Sequence, residues 1–507
     1  MNPESATVWG LVEWAARTRP DRVVFGDEHG RVLTAEQFRD AAERVAAGLS
    51  VRPGQVVSWQ LPSVLEAPVL LAALARIGAV QNPLITALRH REMSHITAQV
   101  GTSLLIVPKF WRGFDHETMA HTLAPEVIAL DLSPETVGQG LRLPTGDPSS
   151  LVPPPTTATD VRYLYFSSGT TAEPKGAKHT DASAIAASFG ITEQLGVNVD
   201  DVYPIAWPYP HVGGIALTVA VLRRGGQLVL FDTFDPATIG VKVAAWRPTI
   251  LGSATPFFRA FLDAQRAHGR DPLYPALRAV TAGGAPLPPA IVGELVDAFG
   301  LRGIHASWGL TEFPVAASIS TIDPDDKMLA TVGRPAPGVQ VRVVDGELRL
   351  KGPQCFVGYV DADLDADAFD NDGWFRTGDL GEVDTDGYVS ISGRIKDVII
   401  RNAENVSAQE VEAVMLRHPD IADASVFGLP DARTGESVCA VVVTAGGAPI
   451  ALDDVATHCA RHGLARHKIP ERVETVAALP RNAMGKVLKD DLRGGLLAQP
   501  HGSAMHR

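Results

Sequence analysis

The order of short apolar runs, loops and amphipathic stretches is the feature that most constrains the fold of this chain. From about residue 160 onward, apolar runs such as RYLYF, TILGS and LRAVT each lead into a loop rich in glycine, proline or hydroxyl residues. A stretch of helical length follows each loop, for example TPFFRAFLDAQRAHG. This alternation predicts an α/β fold with a parallel sheet and crossover helices, in which loops at the carboxyl ends of the strands converge on a ligand.

The pattern changes twice towards the C-terminus. After Gly338, the run VQVRVVDGELRLKG alternates around a D-G turn and predicts an antiparallel hairpin. A second boundary lies near GRIKD, beyond which Ser407 to Glu410 form a capping box before a helical pattern. We therefore expect residues 1–394 to form a large domain of mostly parallel sheets with helices plus a small β-barrel-like part. Residues 395–507 are expected to form a small, mobile α+β domain.

Charge and hydropathy exclude two classes of partner. The formal net charge of -13 would repel a long phosphate backbone, so nucleic acid is not expected as a main partner. The most apolar run, APVLLAALARIGAV, is interrupted by Arg76 before it could span a bilayer. We expect a cytoplasmic protein without a membrane partner, a monomer or homodimer, that acts on a small molecule.

One loop has the composition of a phosphate-binding site. The stretch FSSGTTAEPKG, residues 166–176, offers hydroxyl groups, glycine backbone that can approach a ligand closely, and the charge of Lys175. It differs from the common P-loop, which needs a glycine directly before the lysine and a hydroxyl directly after it, because Pro174 and Gly176 occupy those positions. The loop therefore predicts a polyphosphate site of another kind.

Four further motifs follow this loop in a fixed order. They are WGLTE at 308–312, WFRTGD at 374–379, GRIKD at 393–397 and PRNAMGK at 480–486. Together with the loop they resemble the ordered motifs of the adenylate-forming superfamily, which contains acyl- and aryl-CoA synthetases, luciferases and the adenylation domains of peptide synthetases. The stretches NPLITALRHREM and IVPKFWRGFDHETMA look most similar to cyclohexanecarboxylate- and short-chain acyl-CoA ligases.

The resemblance implies a two-step reaction. An ATP-dependent enzyme would adenylate a small carboxylic acid, aromatic, alicyclic or short-chain, release pyrophosphate, and transfer the acyl group to CoA. ATP and Mg²⁺ are the implied cofactors, with CoA as co-substrate. The small domain would rotate about a hinge at Lys396 between the two steps.

The resemblance also implies a role for each matching residue. Catalysis is expected from Lys486, Lys175, Glu312 and Thr311, with His211 at the acyl site, and the metal from Glu312 and Thr170. Lys486 would bridge the carboxylate, the ribose and the α-phosphate, and Asp379 would accept the ribose hydroxyls. The expected nucleotide-binding residues are Ser167, Ser168, Gly169, Thr170, Thr171, Gly176, Gly283, Gly284, Ala285, Pro286, Trp308, Gly309, Asp379 and Arg394.

The acceptor of the second step is left open by one departure from the family pattern. CoA ligases usually carry a glycine pair before E-N, whereas this chain has Asn402 and Ala403. An amide ligase, or a diazotase that activates nitrite for an aromatic amine, is therefore the alternative reading. A non-catalytic nucleotide-binding module is a third, which the presence of Lys486 disfavours because such a module needs no mobile lysine.

Overall fold

Two mainly parallel sheets form the first part of the chain. The computed structural model describes residues 7–133, 140–167, 174–284, 287, 289–402, 404–431, 433–482 and 485–498. A six-stranded sheet has the spatial order Lys175–Thr180, Val161–Ser167, Val80–Pro83, Val56–Trp59, Leu104–Pro108 and Glu126–Leu130. A four-stranded sheet has the order Val202–Ile205, Gln227–Leu230, Val23–Asp27 and Val32–Thr34. A short hairpin pairs Phe110–Trp111 with Phe114–Asp115.

A third sheet confirms the parallel order that the sequence predicts. The strands Ile250–Ser253, Ala279–Ala282 and His305–Trp308 are parallel neighbours, and the first two overlap the runs TILGS and LRAVT. The short antiparallel strands Ala317–Ser318 and Arg334–Pro335 complete this sheet. The carboxyl end of His305–Trp308 leads directly into the WGLTE motif.

The segment after the phosphate-type loop differs from the prediction. The sequence predicts a direct passage from the strand RYLYF through the loop to a helix. The structure instead has the strand Lys175–Thr180, which pairs antiparallel with Val161–Ser167, and the helix starts only at Asp181. The loop therefore joins two strands of a hairpin, because its far side pairs with the strand that precedes it.

The helices pack on these sheets. One of them, Glu66–Ile77, is buried along its whole length and contains most of the apolar run interrupted by Arg76, whose guanidinium donates to the carbonyl of Val152. Within the described residues, no helix is long and apolar enough to cross a membrane. The helices of this part are Val8–Thr18, Ala35–Gly48, Glu66–Ile77, His90–Val100, His116–Ala120, Asp181–Ala187, Val212–Arg224, Ile239–Ala244, Thr255–His268, Pro289–Phe299, Asp325–Ala330 and Asp365–Ala368.

The predicted hairpin after Gly338 is confirmed. The strands Gln340–Val344 and Glu347–Lys351 pair antiparallel around Asp345 and Gly346, which have φ values of 52° and 81° as a tight D-G turn requires. The strands Phe375–Val383 and Val389–Arg394 extend this sheet to four strands.

The last part of the chain has its own hydrophobic core. Its sheet has the order Glu404–Ser407, Val398–Arg401, Gly435–Thr444 and Ile421–Asp431, and Arg472–Thr475 pairs with Gly435–Thr444. Ser407 caps the helix Ala408–Met415 by accepting from the Glu410 N–H, and Val411 and Met415 of that helix are buried. The other helices here are Leu452–Arg461 and Lys489–Leu497. The chain is thus an α/β protein with a large N-terminal and a small C-terminal domain.

Candidate functional site

Three predicted nucleotide-binding residues lie in direct contact. Asp379 and Arg394 are paired residues on neighbouring strands, and Trp308 ends the strand that precedes the WGLTE motif. The Trp308 indole Nε1–H donates to Asp379 Oδ2 at 2.8 Å, and Arg394 Nε donates to Asp379 Oδ1 at 2.5 Å. The Asp379 carboxylate is buried and accepts a donor on each oxygen, so it is held in a fixed orientation with lone pairs left for further donors.

A tight turn presents Thr311 and Glu312. The N–H and carbonyl groups of Leu310 and Phe313 are hydrogen-bonded to each other across this turn, at 3.1 and 3.2 Å. Gly309 is required before it, because a Cβ there would lie 2.5 Å from the Val315 nitrogen. The turn therefore fixes the backbone positions of Thr311 and Glu312, the two predicted catalytic residues.

Glu312 is buried and has a partner that the sequence reasoning missed. The Tyr359 hydroxyl donates to Glu312 Oε1 at 2.7 Å. Burial, followed by the Glu312 charge, raises the pKa of Tyr359 far above its ordinary value, so the phenol remains a donor. Among the described residues, no donor is hydrogen-bonded to Glu312 Oε2. Lys175 Nζ lies 5.7 Å from the centre of the Tyr359 ring, so Tyr359 contacts Glu312 through its hydroxyl and lies near Lys175 through its ring.

The backbone of Thr311 is also held from the phosphate-type hairpin. His179 is buried in the strand Lys175–Thr180, and its Nε2–H donates to the Thr311 carbonyl at 2.8 Å. Burial lowers the pKa of His179 to about 4, so the imidazole is neutral at physiological pH. The sequence gives no motif signal for this role, because the two residues lie 132 positions apart in the chain.

The base of the phosphate-type loop is described, and its tip is not. Ser167 and Lys175 are paired opposite each other at the ends of the two strands. Gly176 is closely packed, because a Cβ there would lie 2.7 Å from the Phe166 ring and 2.9 Å from Val360. The predicted phosphate ligands Ser168, Gly169, Thr170 and Thr171 lie outside the described residues.

The GGAP stretch is described only at its first two residues. A Cβ at Gly283 would lie 2.7 Å from the Ser307 hydroxyl oxygen, so the backbone here approaches the neighbouring strand too closely for a side chain. Gly284 has a φ of 80°, which favours glycine. Ala285 and Pro286 lie outside the described residues.

Lys486 of the small domain lies near the Asp379 cluster. The pKa of Lys486 is lowered to about 8, first by burial and then by the positive charges of Arg394 and Lys396. The negative charges of Asp397 and Asp379 oppose this shift. Since such charge effects decline with distance, Lys486 lies within the electrostatic field of Asp379 and Arg394, two residues predicted to bind the nucleotide.

The loop that carries Lys486 rests on the large domain. Gly485 has a φ of 81°, and a Cβ on it would lie 3.4 Å from Ala254 Cβ and 3.5 Å from Pro256 Cδ. These two residues lie at the start of the helix Thr255–His268. The small domain therefore lies in the orientation that brings Lys486 to the large domain.

The predicted hinge residue Lys396 lies in a short turn between two strands, and Asn402 follows the second of them. Lys396 is in a 3₁₀ turn, Ile395–Asp397, between the strands Val389–Arg394 and Val398–Arg401. Asn402 follows with a φ of 53°, and its N–H donates to the Thr434 carbonyl at 2.8 Å. Asparagine thus adopts the left-handed conformation for which a glycine would otherwise be used. Ala403 lies outside the described residues.

His211 lies apart from the contacts described so far. Its Nδ1 accepts from the Gly213 N–H at 3.2 Å, so it caps the helix Val212–Arg224, and its ring lies edge-on to Trp207. Burial lowers the pKa of His211 to about 4. Phe257 and Phe258 of the helix Thr255–His268 are buried in the main hydrophobic core, as is Trp207. These contacts agree with a structural role for the aromatic rings, and His211 remains half-exposed beside them.

Comparisons with known proteins identify a family over most of the chain. The sequence model of the AMP-binding enzyme family matches residues 12–360, and that of the AMP-binding enzyme C-terminal domain matches residues 410–486. A medium-chain fatty-acid–CoA ligase of Escherichia coli K12 is 31% identical, covering 95% of this chain and 89% of that protein. A salicylyl-CoA synthase / salicylate adenylyltransferase of a Streptomyces species is 32% identical, covering 95% and 92%.

A solved structure agrees with the fold over nearly the whole length. The crystal structure of ATP-bound MatB from Rhodopseudomonas palustris superposes with a TM-score of 0.84 at 27% identity. The superposition covers 97% of this chain and 99% of that chain. Both domains are therefore included in the similarity.

Proposed function

This chain belongs to the AMP-binding enzyme family and is an AMP-forming acid–CoA ligase, and we propose that its acid is a small aromatic, alicyclic or short-chain carboxylate. In the first step a carboxylate oxygen attacks the α-phosphorus of ATP and pyrophosphate leaves. In the second step the CoA sulfur attacks the acyl carbonyl of the adenylate and AMP leaves. Both steps build charge on oxygens, so the enzyme has to supply fixed donors and cations.

The position of Lys486 is the observation that carries the proposal. Its ammonium group lies in the field of Arg394 and Asp379, two groups from the large domain. A cation at this place can contact the attacking carboxylate and the α-phosphate together, orient them and neutralise the charge that develops between them. Lys486 is thus the proposed catalytic residue of the adenylation step.

The buried cluster around Asp379 is the proposed ribose site. Trp308 and Arg394 fix the carboxylate but leave acceptor capacity on both of its oxygens. Two neighbouring ribose hydroxyls can donate to such a carboxylate. Gly283 and Gly284 are the proposed surface for the adenine base, because they bring bare backbone to the carboxyl end of the strand Ala279–Ala282, which neighbours the strand that ends at Trp308.

Glu312 is the proposed metal ligand. A magnesium ion prefers one or two carboxylates together with phosphate oxygens, and the free oxygen of Glu312 within the described region suits that donor set. The ion would supply charge neutralisation on the phosphates. Lys175 and the hydroxyls of the phosphate-type loop, Thr170 among them, are proposed to hold the β- and γ-phosphates, with Thr311 at the α-phosphate.

The acid is proposed to lie near His211, where the structure places a neutral imidazole next to an aromatic ring. A neutral imidazole beside apolar surface suits an uncharged acyl group. This fits the substrates named for the two curated relatives, a medium-chain fatty acid and salicylate.

Residues 1–394 and 395–507 are the proposed domains, with Lys396 as the hinge between them. The short 3₁₀ turn around Lys396 lies between two sheets and is a place where few backbone angles need to change. Rotation there would move Lys486 away and bring the turn at Asn402 towards the adenylate. Because Asn402 keeps the left-handed backbone, CoA remains the proposed acceptor.

Product analysis by mass spectrometry tests this function. The protein is incubated with ATP, Mg²⁺ and a panel of small aliphatic, alicyclic and aromatic acids, each with and without CoA, and with nitrite plus an aromatic amine in a separate arm. We expect AMP and an acyl-CoA thioester with CoA, and an acyl-adenylate without it. AMP release that requires nitrite or an amine, with no thioester from any acid, would contradict the proposal.

A further inference from the structure

The loop that presents Lys486 has an internal brace that the motif comparison does not assign. Arg481 Nη1 donates to the Gly485 carbonyl at 2.6 Å, directly before Lys486. Arg481 Nη2 donates to Asp423 Oδ2 at 2.5 Å, and Asp423 belongs to the strand Ile421–Asp431, which lies at one end of the strand order of the small-domain sheet. One guanidinium therefore joins the loop to the sheet, with one N–H group for each side.

Hydrogen bonds within the loop close the turn that carries Lys486. The Asn482 side chain accepts from the Lys486 N–H at 3.0 Å, and the Asn482 N–H donates to the Lys486 carbonyl at 2.9 Å. These bonds close the turn on itself but do not tie it to the sheet. Val487, next to Lys486, packs on the small core that contains Phe427 and Leu429 of the same strand. The Arg481 bridge adds a polar contact between that strand and the closed turn.

We propose that Arg481, with Asp423 as its anchor, is a positioning residue for Lys486 in the adenylation step. The brace is internal to the small domain, so it travels with Lys486 when that domain moves. It also fixes the Gly485 carbonyl, and Gly485 is the residue that rests on Ala254 and Pro256 of the large domain. Arg481 thereby controls both the direction of Lys486 and the fit of its loop against the large domain.

An exposed ion pair on its own contributes little to stability, about 0–1 kcal/mol, so the brace has to be judged by catalysis. The small domain offers a matched control. Arg472 and Glu474 form an ion pair at 2.8 Å, and their side chains are 29% and 26% exposed. The corresponding values for Arg481 and Asp423 are 23% and 28%. The two pairs are similarly accessible, but only Arg481–Asp423 contacts the Lys486 loop.

The experiment measures the two half-reactions separately in the full-length protein. ATP–pyrophosphate exchange reports adenylation, and thioester formation from CoA and a supplied acyl-adenylate reports transfer. For Arg481→Gln we expect kcat for adenylation to fall about 10- to 100-fold, with KM for ATP and acid nearly unchanged, because misplacement by about 1 Å can cost that much. Transfer should stay within about twofold. Arg481→Lys should recover part of the loss, and Arg472→Gln should resemble the wild type.

A double variant distinguishes positioning from general support of the domain. In Lys486→Ala the ammonium group that Arg481 is proposed to position is absent. Adding Arg481→Gln to this variant should therefore cause no further loss of adenylation activity. Unchanged adenylation in Arg481→Gln, equal losses in both half-reactions, or a full additional loss in the double variant would each overturn the proposal. The inference rests on the proposed role of Lys486. If Lys486→Ala retains adenylation, that role fails, whatever the Arg481 variants show.

Discussion

The two halves of the candidate site are held in place by different kinds of contact. In the large domain, Asp379 and Glu312 are buried and receive donors from residues on neighbouring elements of the same domain. In the small domain, Lys486 is held by one turn that rests on the large domain through Gly485. The first arrangement stays assembled whatever the small domain does, whereas the second lasts only while the domains are in contact. One half is therefore suited to keeping the nucleotide bound through both steps, and the other to a single step.

The largest expected effect comes from removing the small-domain half. Lys486→Ala should lower adenylation about 10²- to 10³-fold, because a fixed charge at the forming bond is lost. Transfer from a supplied acyl-adenylate should be retained, since the lysine is expected to have left the site by then. Both rates are measured as initial velocities.

Lys468, which is partly exposed and pairs with Glu410, provides the control for this variant. Lys468→Ala should leave both half-reactions within about twofold, as is usual for surface substitutions away from a site. A loss of adenylation and transfer together in Lys486→Ala would contradict the separation of the two halves.

Blocking the movement between the halves should give the reverse pattern. Lys396→Pro fixes φ at the hinge position near −65°, so the small domain cannot rotate by a change there. We expect adenylation within about threefold of wild type and thioester formation slowed about 10-fold or more, as for other hinge substitutions. Lys396→Ala, which removes the side chain but leaves the backbone free, should keep both steps. Full overall turnover in the proline variant would remove Lys396 from the hinge.

The pH dependence should also separate the two halves. Lys486 has a pKa lowered to about 8, so its charge is complete well below that pH and is lost as the pH rises through it. We expect kcat/KM for adenylation to fall about tenfold between pH 7 and 9, because kcat/KM reports the ionisation of the free enzyme. The transfer step should lack this alkaline limb. Lys486→Arg should retain its charge at pH 9, and a limb unchanged in that variant would assign it to another group.

The fold was predictable where neighbouring residues determine it. Patterns of neighbouring residues predict two features: the D-G turn at Asp345 and Gly346, and the parallel strands between Ile250 and Trp308. The strand Lys175–Thr180 was not predicted, because its pairing partner is set by the loop closing back on the preceding strand. Its residues KGAKHT carry no strong apolar alternation of their own.

The residues of the site were predictable only where they belong to a recognised motif. Trp308, Asp379 and Arg394 come from three separate motifs, and the structure brings them into contact as a group. Tyr359 and His179 were missed, although each fixes a residue of the WGLTE motif. Their contacts join residues 47 and 132 positions apart, so only the folded chain shows them.

The smallest expected effect concerns Tyr359, and the chain contains a matched counterpart for it. The Tyr388 hydroxyl donates to Asp323 Oδ1 at 2.8 Å, and Lys327 Nζ lies 5.0 Å from its ring. Tyr359 has the same arrangement with Glu312 and Lys175. A buried tyrosine, a carboxylate and a lysine thus occur together twice, but only one of the two groups lies at the proposed phosphate site.

Substituting each tyrosine by phenylalanine tests whether the loss of the hydroxyl affects only stability or also the proposed phosphate site. Each change removes one hydroxyl from a carboxylate, which costs about 0.5–1.5 kcal/mol and should lower the thermal stability of the two variants similarly. Only Tyr359→Phe should also raise the Mg²⁺ concentration needed for half-maximal ATP binding, by about 2- to 10-fold, because Glu312 is then free to turn away from the phosphates. Calorimetric titration of ATP at several Mg²⁺ concentrations measures this without turnover. An equal Mg²⁺ response in both variants would show that the tyrosine supports the fold alone, and that the large-domain half is less fixed than its contacts suggest.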